Sequence, residues 1–253
     1  MDKVTSRKNP LIAHIRKLSS DRDYRYRCEE YVCEGSTLLD EALASSAVIT
    51  SVIWCGTADR AIPGITEQYE VPEDLYSFVS PSKNSPGPLF TVRFPRPDTD
   101  KKISSAIILE NIQDPGNIGT VMRTANAFGI ESVVFTGSCA DIYNVKAVRA
   151  SMGAVFRQRT DAVEIGWLKE FIRANSLKLY AAALSDEAED IRNIECSGCA
   201  FAVGNEGSGL SDELLSLCEK KVVIPMMPSA ESLNAAVAAG ILMWECRRRE
   251  LRI

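Results

Sequence analysis

Three segments of this 253-residue chain carry residues that could do chemistry, and each follows a short apolar run. Residues 110–119 include Glu110, Asn111, Asp114, Pro115, Asn117 and Gly119, and they follow the run 106–109. Residues 204–210 contain Gly204, Asn205, Glu206, Gly207, Ser208 and Gly209, after 200–203. Residues 225–234 contain Met226, Pro228, Ser232, Leu233 and Asn234, after 222–224. Such segments offer backbone N–H and C=O groups, amides and a few carboxylates. That set suits a neutral or cationic ligand with a purine-like edge. It does not suit a pyrophosphate. Gly204, Gly207 and Gly209 give GxxGxG rather than GxGxxG, and no GxxxxGK[ST] occurs.

Other chemistries fall away by count. The single histidine, His14, sits in an amphipathic N-terminal stretch, where a surface or boundary role is expected. A Ser-His-Asp triad or a histidine-rich metal site would need it elsewhere. The eight cysteines lack paired metal spacing. Cys196 and Cys199 form a lone CxxC, read as a turn before a strand, and no metal site is expected. No apolar run is long enough to span a membrane, and no secretory signal is visible, so a cytoplasmic location is expected.

The loops need a scaffold that brings them together. After a linker at 96–104, short apolar strands are expected at 106–109, 132–135, 178–183, 200–203 and 222–225, with helices between them. A helix is predicted over 119–128 with Gly129 as its stop, another with Ser211 as N-cap, and a last one from Leu233 to about Arg249. The basic Arg247, Arg248 and Arg249 suit that helix C-terminus. This alternation predicts an α/β fold with a mostly parallel sheet over 105–253. Ligands of such sheets bind beyond the strands' carboxyl ends, where all three loops fall. Residues 1–95 read as a smaller α/β unit. It has strands at 30–33, 48–54 and 75–79, a helix at 36–44 and a polar loop at 82–88. Charge is uneven: residues 1–27 hold eight cationic and three acidic side chains, a local +5 within a net −5. A basic arm on an acidic chain suggests a polyanion footprint.

The loop residues also carry a resemblance. Asn111, Pro115, Asn117, Gly119, Arg123, Ala125 and Gly129, with their spacing, resemble the first motif of the SpoU (TrmH-like) family of RNA ribose 2′-O-methyltransferases. Gly204 to Leu210 resembles the second, and Ile224 to Met226 with Ser232 to Ile241 the third. The segment 146–154 is similar to the family's RNA-side loop, and residues 1–95 to an L30e-like substrate-binding domain. Pro228 and Ala236 depart from the pattern, standing where many members have Gly and Ser.

The resemblance implies a SPOUT fold with a C-terminal trefoil knot, S-adenosylmethionine as cofactor, and a homodimer through the knotted domain. It implies cofactor contacts at Gly204, Ile224, Met226, Ser232 and Leu233. It implies a catalytic set of Arg123, Asn117, Glu206, Ser232 and Asn234. In this reading Arg123 anchors a phosphate and activates the 2′-hydroxyl, while Asn117 and Glu206 hold its guanidinium. RNA contacts are expected from Arg7, Lys8, Arg16, Lys17, Arg149 and Ser151. The expected substrate is 23S rRNA. The alternatives are tRNA as substrate, or a non-catalytic RNA-binding module of the same fold.

Overall fold

The computed structural model describes residues 1–45, 47–65, 67–82, 87–96 and 101–250. Part of the expected linker (97–100), part of the 82–88 loop (83–86) and the tail 251–253 lie outside the described residues. In chain order the elements begin with β1 (Asp2–Lys3), α1 (Pro10–Ser20), α2 (Arg22–Cys28), β2 (Glu30–Glu34) and α3 (Ser36–Ala44). Then come β3 (Ile49–Cys55), β4 (Gln68–Val71), α4 (Glu73–Val79) and β5 (Leu89–Arg93). The later part has β6 (Ser105–Glu110), α5 (Pro115–Phe128), β7 (Ser132–Thr136), α6 (Val145–Ser151), β8 (Thr160–Ala162) and α7 (Ile165–Asn175). It ends with β9 (Lys178–Ala182), β10 (Glu189–Asp190), β11 (Cys199–Val203), α8 (Asp212–Leu217), β12 (Lys220–Val223) and α9 (Ala235–Arg247).

These elements form two compact units. The first holds Met1–Arg96 together with Asp141–Phe156, and the second holds Pro97–Ala140 and Arg157–Ile253. In the first, a five-stranded sheet has the order β1-β4-β3-β5-β2, with β5 antiparallel to both its neighbours. Ile12, Ile15 and Leu18 recur at helical spacing on α1 and bury against Val32, Ile53 and Leu89 of the sheet. Each such side chain contributes about 1.5–3 kcal/mol by leaving water. Asn9 caps α1 by accepting from the Leu11 N–H, with Pro10 in the first turn.

The segment 141–156 lies inside the range expected for the second domain, yet it packs with the first unit. Arg25, nearly devoid of solvent contact, explains this. Its Nε and Nη2 donate to Asp141 Oδ2 at 2.8 and 2.6 Å, and its Nη1 donates to the Leu18 carbonyl. Tyr143 stacks on Phe94 with ring centroids 3.9 Å apart, and Tyr31 sits beside it at 4.8 Å.

One expected strand is a helix. Residues 75–79 fall in α4, because Pro72 at the N-cap and Glu73 and Asp74 in the first turn favour a helix start. Leu75, Tyr76 and Val79 then face the core. His14 is part-buried in the same unit, its ring nitrogens 2.9 Å from the Tyr24 hydroxyl and 3.1 Å from Glu30 Oε2.

In the second unit all seven strands are parallel, in the order β10-β12-β9-β11-β6-β7-β8. One sheet face buries Ala106, Ile108, Val134, Leu179, Ala200 and Ala202 against Leu168 of α7 and Leu214 of α8. The central strands are buried along their length, as covered parallel strands must be. α5 starts four residues before the expected Gly119. Asp114 accepts from the Gly116 N–H as N-cap, and Pro115 fills the first turn. Gly129 ends it at φ 68°, a conformation that favours glycine. Ser211 caps α8 as expected. α9 starts at Ala235 rather than Leu233, because Asn234 is its N-cap.

Candidate active site

β6, β11, β9 and β12 are neighbours and parallel, so the segments that leave them emerge at one edge of the sheet. There the chain encloses a cavity of about 370 Å³. Residues at the end of β9 and after it (Ala182, Ala183, Leu184), after β11 (Gly204, Asn205, Glu206, Leu210) and after β12 (Ile224, Met226, Ser232, Leu233) line it, with Ala235 and Ala238 of α9. Its size falls in the range of small-molecule sites.

The loops are tied to one another. Asn117 Nδ2 donates to Glu206 Oε1 at 2.5 Å. Asn234 Nδ2 donates to Asn117 Oδ1 at 3.1 Å. Asn234 Oδ1 meanwhile accepts from the Ala236 and Val237 N–H groups at the start of α9. One polar chain thus joins the segments after β6, β11 and β12. Beneath it, the buried Glu110 carboxylate accepts from the Ser211 N–H at 2.7 Å and the Ser211 hydroxyl at 2.6 Å. Asn205 Nδ2 donates to the Asn111 carbonyl at 3.1 Å, and its Oδ1 accepts from the Gly207 N–H at 2.8 Å. These bonds hold the 204–210 loop in one shape. A side chain at Gly204 would run into the Gly209 carbonyl, so glycine lets the loop close on itself. Gly209, at φ 69°, completes the turn.

All five residues expected at a cofactor, Gly204, Ile224, Met226, Ser232 and Leu233, line this one cavity. Of the expected catalytic set, Glu206 and Ser232 line it, and Asn117 and Asn234 join it through the polar chain. Arg123 does not. It is exposed on α5, makes no hydrogen bond or ion pair among the described residues, and is absent from the cavity wall. Asn117 and Glu206 therefore hold each other and Asn234, not the Arg123 guanidinium. The reason is helical geometry: six residues on from Asn117, Arg123 has turned well away from the Asn117 face of α5.

Sequence reasoning missed the wall at the end of β9 and just after it, where Ala182, Ala183 and Leu184 carry no polar side chain to draw attention. Its place at a strand's carboxyl end was the available signal. It also missed the pairing of Glu110 with Ser211, which joins positions far apart in the chain.

In the first unit the expected RNA residues divide. The Arg7 and Arg16 guanidinium groups lie 4.7 and 4.2 Å from the centre of the Phe78 ring. Lys17 stands over Tyr24 at 5.3 Å, and Lys8 is exposed. Arg149 is exposed and donates to the Ser82 hydroxyl at 2.9 Å. Ser151 contradicts its expected role. It is fully buried, and its hydroxyl donates to the Val148 carbonyl at 2.7 Å and closes the end of α6, so it presents nothing to a nucleic acid.

Comparison with known proteins matches this architecture. The profile of the SpoU rRNA Methylase family covers residues 104–244. The chain is 29% identical to the 23S rRNA (guanosine(2553)-2′-O)-methyltransferase RlmP of Bacillus subtilis, over 98% of this chain and 100% of that one. Among solved structures it is similar to the AdoMet-bound rRNA methyltransferase from Sinorhizobium meliloti, with a TM-score of 0.88, 27% identity and 99% of each chain covered. It is also similar to the SpoU methyltransferase AviRb from Streptomyces viridochromogenes in complex with AdoMet, with a TM-score of 0.86, 25% identity, and 96% of this chain and 98% of that one covered. The matched profile takes in all three loops and the polar chain that joins them, and on that ground the chain belongs to the SpoU rRNA methylase family.

Proposed function

We propose that this protein is an S-adenosylmethionine-dependent RNA ribose 2′-O-methyltransferase acting on 23S rRNA. The observation that carries the reading is the Asn117–Glu206–Asn234 chain, which fixes three loops around one cavity. The cavity fits the cofactor. Leu210, Ile224 and Leu233 offer apolar walls for a flat purine, backbone groups of the 204–210 loop offer polar edges, and Glu206 offers a carboxylate to a cation. When bound, the cofactor supplies a methyl group already activated by a positive sulfur. Glu206 and Ser232 orient polar groups at the cavity, and Asn234 keeps α9 in register with it.

The remaining task is to align the ribose oxygen and weaken its O–H bond. A free guanidinium is a poor base, because its pKa exceeds about 12. Arg123 acts by gripping an RNA phosphate bidentately and polarising the adjacent hydroxyl. Because it stands apart from the cavity of its own chain, we assign it to the cavity of a second copy in a homodimer. Exposed Val237 and Trp244 on α9, which packs beside α5, give that dimer an apolar surface. In this reading the chain leaving β12 forms the trefoil knot that returns as α9, the first unit is the L30e-like RNA-holding domain, and the enzyme is cytoplasmic.

The test uses the purified chain with methyl-labelled cofactor and 23S rRNA or tRNA. Label should appear in 23S rRNA, in a nucleoside that resists cleavage at its 2′-position. Label in tRNA alone would redirect the substrate, and cofactor binding without transfer to any RNA would favour a binding module. Light scattering at the mass of one chain would remove Arg123 from the mechanism as stated.

A further inference from the structure

At the ends of β11 and α9 remote from the cavity, three cysteines stand together that the proposed reaction does not use. Cys199 opens β11, Cys196 lies in the turn before it, and Cys246 lies in the last turn of α9. The Cys199 and Cys246 Sγ atoms are 3.8 Å apart. Both point at one residue: Cys199 Sγ is 3.0 Å from the Cys196 carbonyl, and Cys246 Sγ is 3.6 Å from it. Access differs. Cys199 is fully buried and Cys246 nearly so, whereas Cys196 is only partly covered. No group of three or more His, Cys, Asp or Glu side chains among the described residues has metal-holding geometry.

We propose that Cys196, Cys199 and Cys246 form a peroxide-sensitive thiol site, with Cys196 as the attacking sulfur and Cys246 as the partner that closes a disulfide. The surroundings favour the thiolate at Cys196. The neighbouring Cys199 and Cys246 side chains, and after them the Arg249 and Arg248 charges, outweigh the cost of burial and hold its pKa far below the ordinary cysteine range. Cys199 and Cys246 are pushed up in return, first through the hydrogen bonds they share with Cys196. A low-pKa, reachable thiolate beside a second thiol is the arrangement that reversible oxidation requires.

The step balances with a hydroperoxide as oxidant. The Cys196 thiolate attacks the peroxide oxygen, the O–O bond breaks, and the departing alkoxide or hydroxide takes a proton. Cys196 becomes a sulfenic acid. The Cys246 sulfur then attacks the Cys196 sulfur, and the sulfenic oxygen leaves as water with the Cys246 proton. Two thiols have given up two electrons and two protons, and the peroxide has become an alcohol, or water, plus water. The new bond would tie the turn before β11 to the end of α9. The opposite ends of those two elements carry Gly204 and Asn234. The site does not depend on which RNA is methylated.

The experiment uses the full reduced chain under native conditions. Alkylation by iodoacetamide, followed by peptide mass spectrometry, should modify Cys196 at least tenfold faster than Cys28, Cys55, Cys139 or Cys218, which are also only partly buried. A short pulse of hydrogen peroxide should yield a Cys196–Cys246 disulfide that dithiothreitol reverses. Cys246→Ser should leave a sulfenic acid on Cys196 that dimedone traps. Equal alkylation rates, a disulfide between other cysteines, or oxidation that proceeds unchanged in Cys196→Ser would overturn the proposal. The alkylation rates come from the unsubstituted chain, so a variant that fails to fold does not spare it.

Discussion

The two units use polar side chains in opposite ways. At the strand-end cavity of the second unit, Asn117, Glu206, Asn234, Glu110 and Ser211 spend their hydrogen bonds on one another and on nearby backbone. On the first unit, Arg7, Arg16, Lys17 and Arg27 lie over aromatic rings. A stacked guanidinium keeps its N–H donors for an incoming phosphate. The contrast separates two jobs. A transfer site must be rigid before the substrate arrives, because reorganisation there adds to the barrier. A surface for a polyanion needs cations that are positioned but still free to bind.

The largest effect is expected at Arg123, which in the proposed mechanism completes the rigid site of a second copy. Arg123→Ala should lower methyl transfer by at least about a hundredfold while cofactor affinity, measured by calorimetry, stays within a few-fold. Equal loss of both would place Arg123 at the cofactor instead, and the two-job division would fail there.

Next in size is a buried ion pair of the first unit. Arg25→Ala leaves the Asp141 carboxylate buried without its partner, which costs about 3–5 kcal/mol in such pairs. Thermal melting should show that loss, with the 141–156 segment becoming protease-sensitive. Replacing Arg25 and Asp141 together by Met and Leu should recover much of it. A melting temperature unmoved by Arg25→Ala would mean the segment is held by its aromatic contacts alone.

Smaller changes are expected on the open surface. Arg7→Ala with Arg16→Ala should weaken RNA binding several-fold and flatten the slope of log affinity against log salt by about two. Transfer at saturating RNA should hardly change. A drop in saturated transfer without a change in slope would assign these residues to the reaction rather than to affinity.

The smallest effect concerns pH. Burial raises the pKa of Glu30, but hydrogen bonds from His14, Thr50 and Thr91 outweigh it, so the carboxyl titrates below its usual 4.5. The unfolded chain therefore binds this proton at higher pH than the folded one. The Glu30 contribution to stability is present above about pH 4.5 and fades as the pH falls through the lowered folded value. Glu30→Gln should remove that part of the acid dependence, and melting curves between pH 6 and 3 would measure it. Parallel curves for the two proteins would show that the His14 contact does not stabilise the fold.

Legibility in the sequence followed the range of the forces. Helix α3 and the core strands of the second unit could be read nearly to their ends, because apolar runs and turn residues act locally. Residues 75–79 misled, since an apolar run of that length serves a short buried helix as well as a strand. The acidic first turn after Pro72 was the deciding local signal. Ser151 misled for a different reason: a hydroxyl in a motif can face a ligand or its own backbone, and only the burial of α6 decides.

By itself the sequence determined that short parallel strands would carry three polar loops to one edge, because apolar periodicity and strand direction leave few other arrangements. It also determined what those loops could bind, because donor and acceptor types are properties of residues. Only the tertiary structure decided which polar groups meet. The Asn117–Glu206–Asn234 chain, the Arg25–Asp141 pair and the Cys199–Cys246 pair each join positions at least 45 residues apart at one link or more. Side chains so distant come into contact only when packing brings the backbone together, and no local preference records that event.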